Sequence, residues 1–231
     1  MNKNTKKTGF TLAELLVVVM ILGIVSVLVV PGLVRKYNKA GFEKQLGSFY
    51  NDLSHSMAIA QAENTRFLSL SPLATSATGG LLKNYMQVKE EVTEDCIDNK
   101  SRTPCFAASY KSIDGSATIS SADFCKTGTS MILLSGVAIC ITPMTTNETI
   151  LRDNSSDIFV DLNGAEPPNI GGKDLFRMNL YSDATIDEQV KPSARQGANR
   201  SEIVKKCVKT ATGEGCFTRF MQDKMKFNYY D

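Results

Sequence analysis

Between Leu15 and Val30 the chain reads LLVVVMILGIVSVLVV, and Ser26 is its one polar side chain. A helix of this composition is apolar all round, which suits a membrane span. With Phe10 to Leu12 in front, the run reaches the roughly 20 residues that a helix needs to cross a bilayer. Large apolar residues favour insertion by about 0.3 to 0.6 kcal/mol each, and together they outweigh one acidic residue costing about 2.5 to 3.5 kcal/mol. Insertion is therefore favourable even with Glu14 near its start. The 231 residues, 42% of them apolar, allow one ordinary domain besides this segment, and two full domains would be a stretch.

A removable secretory peptide would end in a small-residue A-x-A site, but here the apolar core runs into VVPGLVRKYNK, which has none. A plain anchor fits the length and leaves Glu14 unexplained, because any apolar residue there would insert more easily. An intramembrane carboxylate is by default functional, with a partner to be named. Lys3, Lys6 and Lys7 precede the run, so the N-terminus is expected to stay on the cytoplasmic side.

The string KKTGFTLAELL, Lys6 to Leu16, resembles the cleavage and methylation signature of type IV prepilins and type II secretion pseudopilins, and the likeness extends over residues 6 to 36. The resemblance implies that a prepilin peptidase and methyltransferase cuts after Gly9 and N-methylates Phe10. Glu14 then stands where the family keeps its glutamate, and Pro31 where many members carry a helix-kinking proline. Cleavage exposes an ammonium on Phe10 that is costly in lipid unless a negative charge lies beside it. Glu14 is implied to supply that charge, within its own chain or to a neighbour. With Thr11, Leu12 and Pro31 it forms the implied assembly segment.

The domains expected are a leader at 1–9, a transmembrane and polymerisation helix at 10–35, and a soluble pilin-like domain at 36–231. Past the membrane the apolar pattern becomes one-sided: Val34, Tyr37, Phe42, Leu46, Phe49, Tyr50, Leu53, Met57 and Ala60 recur near helical spacing. Pro31 and Gly41 are expected to bend or locally melt this helix. SPLATSATGG at 71–80 reads as a loop, LLKNYMQVKEE at 81–91 as a short helix, and 96–125 as a loop-rich, cysteine-bearing connection. MILLSGVAICIT at 131–142 is the strongest strand signal, with a possible bend at Ser135-Gly136. DIFVDL at 157–162 and LFRMNLY at 175–181 are further strands, joined by a wide loop that begins with the turn signal Asn163-Gly164. Ser201 to Lys209 suggests another short helix, and FNYYD suggests aromatics covering a sheet edge. The fold class is α+β: a long N-terminal helix on an antiparallel sheet, as the family resemblance also implies.

Six cysteines, Cys96, Cys105, Cys125, Cys140, Cys207 and Cys216, all follow the apolar run and contain no C-x-x-C pair. Disulfides in an oxidising compartment are expected, and of the connectivities possible we favour the local pairs 96 with 105, 125 with 140, and 207 with 216. Asp161, Asn163 and Glu166 offer oxygen ligands for calcium, although their spacing departs from the EF-hand pattern; a polar turn is the commoner reading and no cofactor is expected. The net charge of +2 hides a basic end: residues 191–231 carry 9 basic and 4 acidic side chains, whereas residues 10–190 carry 14 and 20. Lys205, Lys206 and Lys209, with Lys191, Arg195 and Arg200, offer a basic set for DNA phosphates, which some pilins bind, but a solvated face is the commoner use of such a set.

One His, His55, no Trp, and no nucleophile-elbow or phosphate-loop motif leave little scope for catalysis. His55 reads as an exposed or partly buried helical residue. A membrane-anchored periplasmic enzyme or binding protein is the competing class. The expected role is a non-enzymatic subunit of a type IV pilus-like filament, with a secretion pseudopilin as the alternative. The 222 residues left after cleavage favour the pilus. Its implied partners are itself and other pilins, the processing enzyme, the inner-membrane assembly platform and, before assembly, lipid. Its implied location is the bacterial inner membrane, and afterwards a filament in the periplasm or at the cell surface.

Overall fold

The computed structural model describes residues 11–63, 86–92, 105–125, 129–143, 154–181, 184–188 and 200–229. Gly9, Phe10, Cys96, the 71–80 loop, Lys191 and Arg195 lie outside them. Helix α1 runs from Leu12 to Glu63. The chain divides into two compact units, Met1–Gly41 and Phe42–Asp231.

In the first unit α1 presents exposed apolar side chains, among them Leu15, Leu22, Leu28 and Leu33. Pro31 and Gly41 are both helical, so the local melting expected there is not seen. Pro31 removes one backbone donor and its ring crowds the Val27 carbonyl, which favours a kink rather than an end of the helix.

The second unit begins where α1 gains a buried face. Leu46, Phe49, Leu53, Met57 and Ala60 are buried at steps of three and four, with Phe42 and Tyr50 beside them. Tyr37, placed on this stripe by its spacing, is 80% exposed, because the buried part of the stripe starts only at Phe42.

Beneath that stripe lies a six-stranded sheet built from β1 (Val88–Val92), β4 (Thr129–Leu133), β5 (Ala138–Pro143), β6 (Asn154–Asp161), β7 (Leu175–Tyr181) and β8 (Ile186–Asp187). Its order is β1-β4-β5-β6-β7-β8 and every neighbouring pair is antiparallel. From β4 onward it is a meander, the topology that short connections allow. A separate hairpin, β2 (Ser109–Lys111) with β3 (Thr118–Ser120), leads into the one-turn helix α2 (Ser121–Phe124). Helices α3 (Arg200–Lys206) and α4 (Cys216–Gln222) follow the sheet.

Alternation along the strands sorts their side chains onto two faces. Met131, Ile139, Ile141, Ile158, Val160, Phe176 and Met178 join the α1 stripe in one core. Ala138, Cys140, Phe159 and Leu175 point the other way and meet Phe106, Tyr110 and Phe124 in a second, smaller core. Strands β4 to β7 are thus covered on both sides, which explains why β5 is buried from Ala138 to Ile141.

Three expectations change. Residues 88–91 of the segment read as a helix belong instead to strand β1, paired with β4. Lys and Glu favour helix there, but the open edge of β4 decides, as tertiary pairing commonly overrides local preference in strands. The run 131–142 is two strands: Gly136, at φ 85°, closes a turn between β4 and β5. Phe227 of the C-terminal FNYYD lies against the face of the sheet rather than its edge, stacked on Phe176 with ring centroids 5.5 Å apart.

Candidate functional site

The start of α1 is organised by two side chains. The Thr11 carbonyl accepts the first helical hydrogen bond, from Leu15 N–H at 3.1 Å, so Thr11 is the N-cap. Its hydroxyl accepts from Glu14 N–H at 3.3 Å, and the Glu14 carboxylate accepts from Thr11 N–H at 2.8 Å and from the Thr11 hydroxyl at 2.8 Å. This reciprocal arrangement is a capping box, which satisfies two otherwise orphaned backbone donors. It turns the Glu14 carboxylate back toward the residues that precede the helix. The S/T-x-x-E spacing that encodes it stands in the sequence as TLAE, Thr11 to Glu14.

From Leu12 onward the helix meets the requirements of a membrane span: its most apolar 18-residue window has a mean hydropathy of 2.9, with none of that window buried. Ser26 donates to the Leu22 carbonyl at 2.7 Å, so the one hydroxyl in the run is satisfied within its own helix. A hydroxyl satisfied in this way needs no water, as lying in lipid requires. Leu12 and Pro31 are both exposed on this stretch.

Elsewhere the expected site residues are dispersed. Asp161 is fully buried: the Tyr110 hydroxyl donates to one of its oxygens and Asn163 N–H to the other, at 3.1 Å. Burial and the nearby Asp174 push its carboxyl well above the usual range. The Asn163 amide donates to the Glu166 and Pro167 carbonyls, while the Glu166 side chain is exposed. Two of the three residues considered for calcium therefore serve the turn after β6, and Asp161, fully buried with both oxygens already hydrogen-bonded, is not presented to a cation in solution. Among the described residues no three His, Cys, Asp or Glu side chains gather to hold a metal.

Of the basic set, Arg200 pairs with Asp187 at 2.9 Å and Lys206 with Glu214 at 2.7 Å, while Lys205 and Lys209 are exposed. The disulfides Cys125–Cys140 and Cys207–Cys216 are formed as expected. Cys105 is also disulfide-bonded. The first joins α2 to β5 across the smaller core, and the second closes the loop between α3 and α4. That loop is gripped by Glu188, fully buried beside β8, whose carboxylate accepts from the N–H groups of Gly215, Phe217 and Thr218. Nothing in the sequence near Glu188 signals this long-range cap. His55 is exposed on α1, as expected, on the wall of an open cavity of about 370 Å³.

Residues 4–30 match the prokaryotic N-terminal methylation motif, the signature of type IV pilins and pseudopilins. No curated protein and no solved structure matches the chain. The motif marks a pilin-like or pseudopilin-type chain, points to a structural protein rather than an enzyme, and fits anchoring in a membrane.

Proposed function

We propose that the chain is a structural subunit of a type IV pilus-like filament, made as a precursor, cut after Gly9, N-methylated on Phe10 and assembled through residues 10–35. The observation that carries this reading is the methylation motif leading into an apolar helix whose first turn already holds a carboxylate, Glu14, against its own N-cap. Before assembly the helix lies in the inner membrane with the leader in the cytoplasm and the domain outside, following the Lys3, Lys6 and Lys7 bias. The motif also supports processing by a prepilin peptidase and assembly with other pilins.

In this reading Glu14 exchanges its bonds to Thr11 for the ammonium created at Phe10. A charge left in lipid without its partner costs several kcal/mol, so the pairing favours one axial register of subunits over others. The subunit acts without a cofactor. Glu14→Ala is expected to be cut normally and to be lost from filaments, measured by N-terminal sequencing of the membrane pool and by immunoblotting of sheared filaments. Normal incorporation of that variant would contradict the proposal.

A further inference from the structure

The segment that follows α4 lies along one turn of α1. Glu43, next to the first residue of the unit Phe42–Asp231, is a charged side chain left only 8% exposed. One of its carboxylate oxygens accepts from the Phe227 N–H at 2.8 Å and the other from the Lys226 ammonium at 3.0 Å. Gly47 stands one turn further along the same side of α1 and is buried, and a Cβ there would lie 3.5 Å from the Met225 sulfur. Residues 225 to 227 thus run back along the helix from Gly47 to Glu43. The rest of the segment is tied to the sheet side: the Phe227 ring stacks on Phe176 of β7, and the Tyr229 hydroxyl donates to the Gly172 carbonyl at 2.7 Å. Lys224 and Met225 hold φ of 56° and 62°, a left-handed backbone that is unfavourable for residues other than glycine. Two such residues in succession persist because the contacts around them over-determine the path.

We propose that residues 224–229 are a clasp on the first two turns of the buried half of α1, residues 42–49, and that clasp and turns open together as one local unit while the sheet stays folded. The two sides depend on each other. Without the clasp the Glu43 carboxylate loses both donors, and without the helix the buried Phe227 N–H loses its acceptor. The ladders joining β4, β5, β6 and β7 use neither group, so they outlast the opening. Release also relaxes the left-handed backbone at Lys224 and Met225, which favours a discrete open state over a gradual loosening. Residues 42–49 are where the chain passes from Met1–Gly41 into the domain, so a pull on the apolar half of α1 meets the clasp first.

The test is hydrogen exchange, read by mass spectrometry on the full chain in detergent, with the contact broken from each side. Glu43→Ala removes the acceptor. Gly47→Leu improves helix propensity in α1 but displaces Met225, so faster exchange in residues 42–49 of that variant comes from the lost clasp and not from a weaker helix. In both variants the amides of residues 42–49 and 225–229 are expected to exchange about tenfold faster, with those of β5, β6 and β7 unchanged. Unchanged exchange in residues 42–49 of either variant overturns the proposal. Sheet amides accelerated by the same factor also overturn it, because the C-terminus is then part of one cooperative core. Should Glu43→Ala fail to fold, Tyr229→Phe, which deletes only the hydroxyl bond to Gly172, is read in the same way, with about threefold faster exchange expected in the same two segments.

Discussion

Glu188 shows how much a single buried group can set. It lies inside the domain with three backbone N–H donors, and desolvation, the largest influence, pushes its carboxyl up to about 8 from an ordinary 4.5. A carboxyl raised on folding contributes stability that is complete below its unfolded value and lost as the pH climbs through its folded one. Asp174, pushed up to about 6 by burial, acts in the same direction. Melting temperature is therefore expected to rise as the pH falls from about 9 to about 5, and Glu188→Gln to flatten that slope; a slope of opposite sign would contradict the assignment. Gly171 is as exacting for a steric reason: a Cβ there would lie 2.1 Å from the Thr212 carbonyl oxygen and 2.8 Å from the Gly213 nitrogen, both of them backbone. Gly171→Ala is expected to destabilise the domain by about 1 to 3 kcal/mol in urea unfolding, in the range of forced overpacking. Neither residue stood out in the sequence, since each acts through partners distant along the chain. Glu14 did stand out, because a charge beside an apolar run is visible without any tertiary contact.

At the level of elements, legibility followed the source of stability. Strand β7 was read to the residue because LFRMNLY alternates between two buried faces, and the helical stripe from Phe42 to Ala60 was read from its spacing. Strand β1 was missed because VKEEV has little apolar content and owes its conformation to β4. The hairpin β2–β3 and helix α2 were read only as a loop, since their order derives from Phe106, Tyr110 and Phe124 packing on the back of the sheet. The Cys125–Cys140 bond, spanning 15 residues, holds that layer down. Replacing both cysteines by Ala is expected to cost about 3 kcal/mol, and the loss should appear as a lower urea midpoint. Leu53, 1% exposed under the α1 stripe, is expected to cost about 2 to 5 kcal/mol on Leu53→Ala. A loss below 1 kcal/mol, roughly that of a surface change, would contradict the packing of α1 on the sheet.

For the whole molecule, the division into an apolar helix and a disulfide-braced domain was the most legible feature, because membrane insertion and disulfide formation leave compositional marks that need no fold. The identity of the contacts inside the domain was not legible, since six strands of ordinary composition allow many orders. The core that places them is contained in Phe42–Asp231. A chain lacking residues 1–41 is accordingly expected to be soluble, to melt cooperatively and to keep both described disulfides. The central claim concerns the other unit, where one motif ties cleavage, methylation and assembly to a single turn of helix. Intact mass and N-terminal sequencing of the protein purified from its native host test it most directly. The account predicts a chain that begins at Phe10 and carries one added methyl group on its amino terminus. A chain that still begins at Met1 while the processing peptidase is active would contradict it.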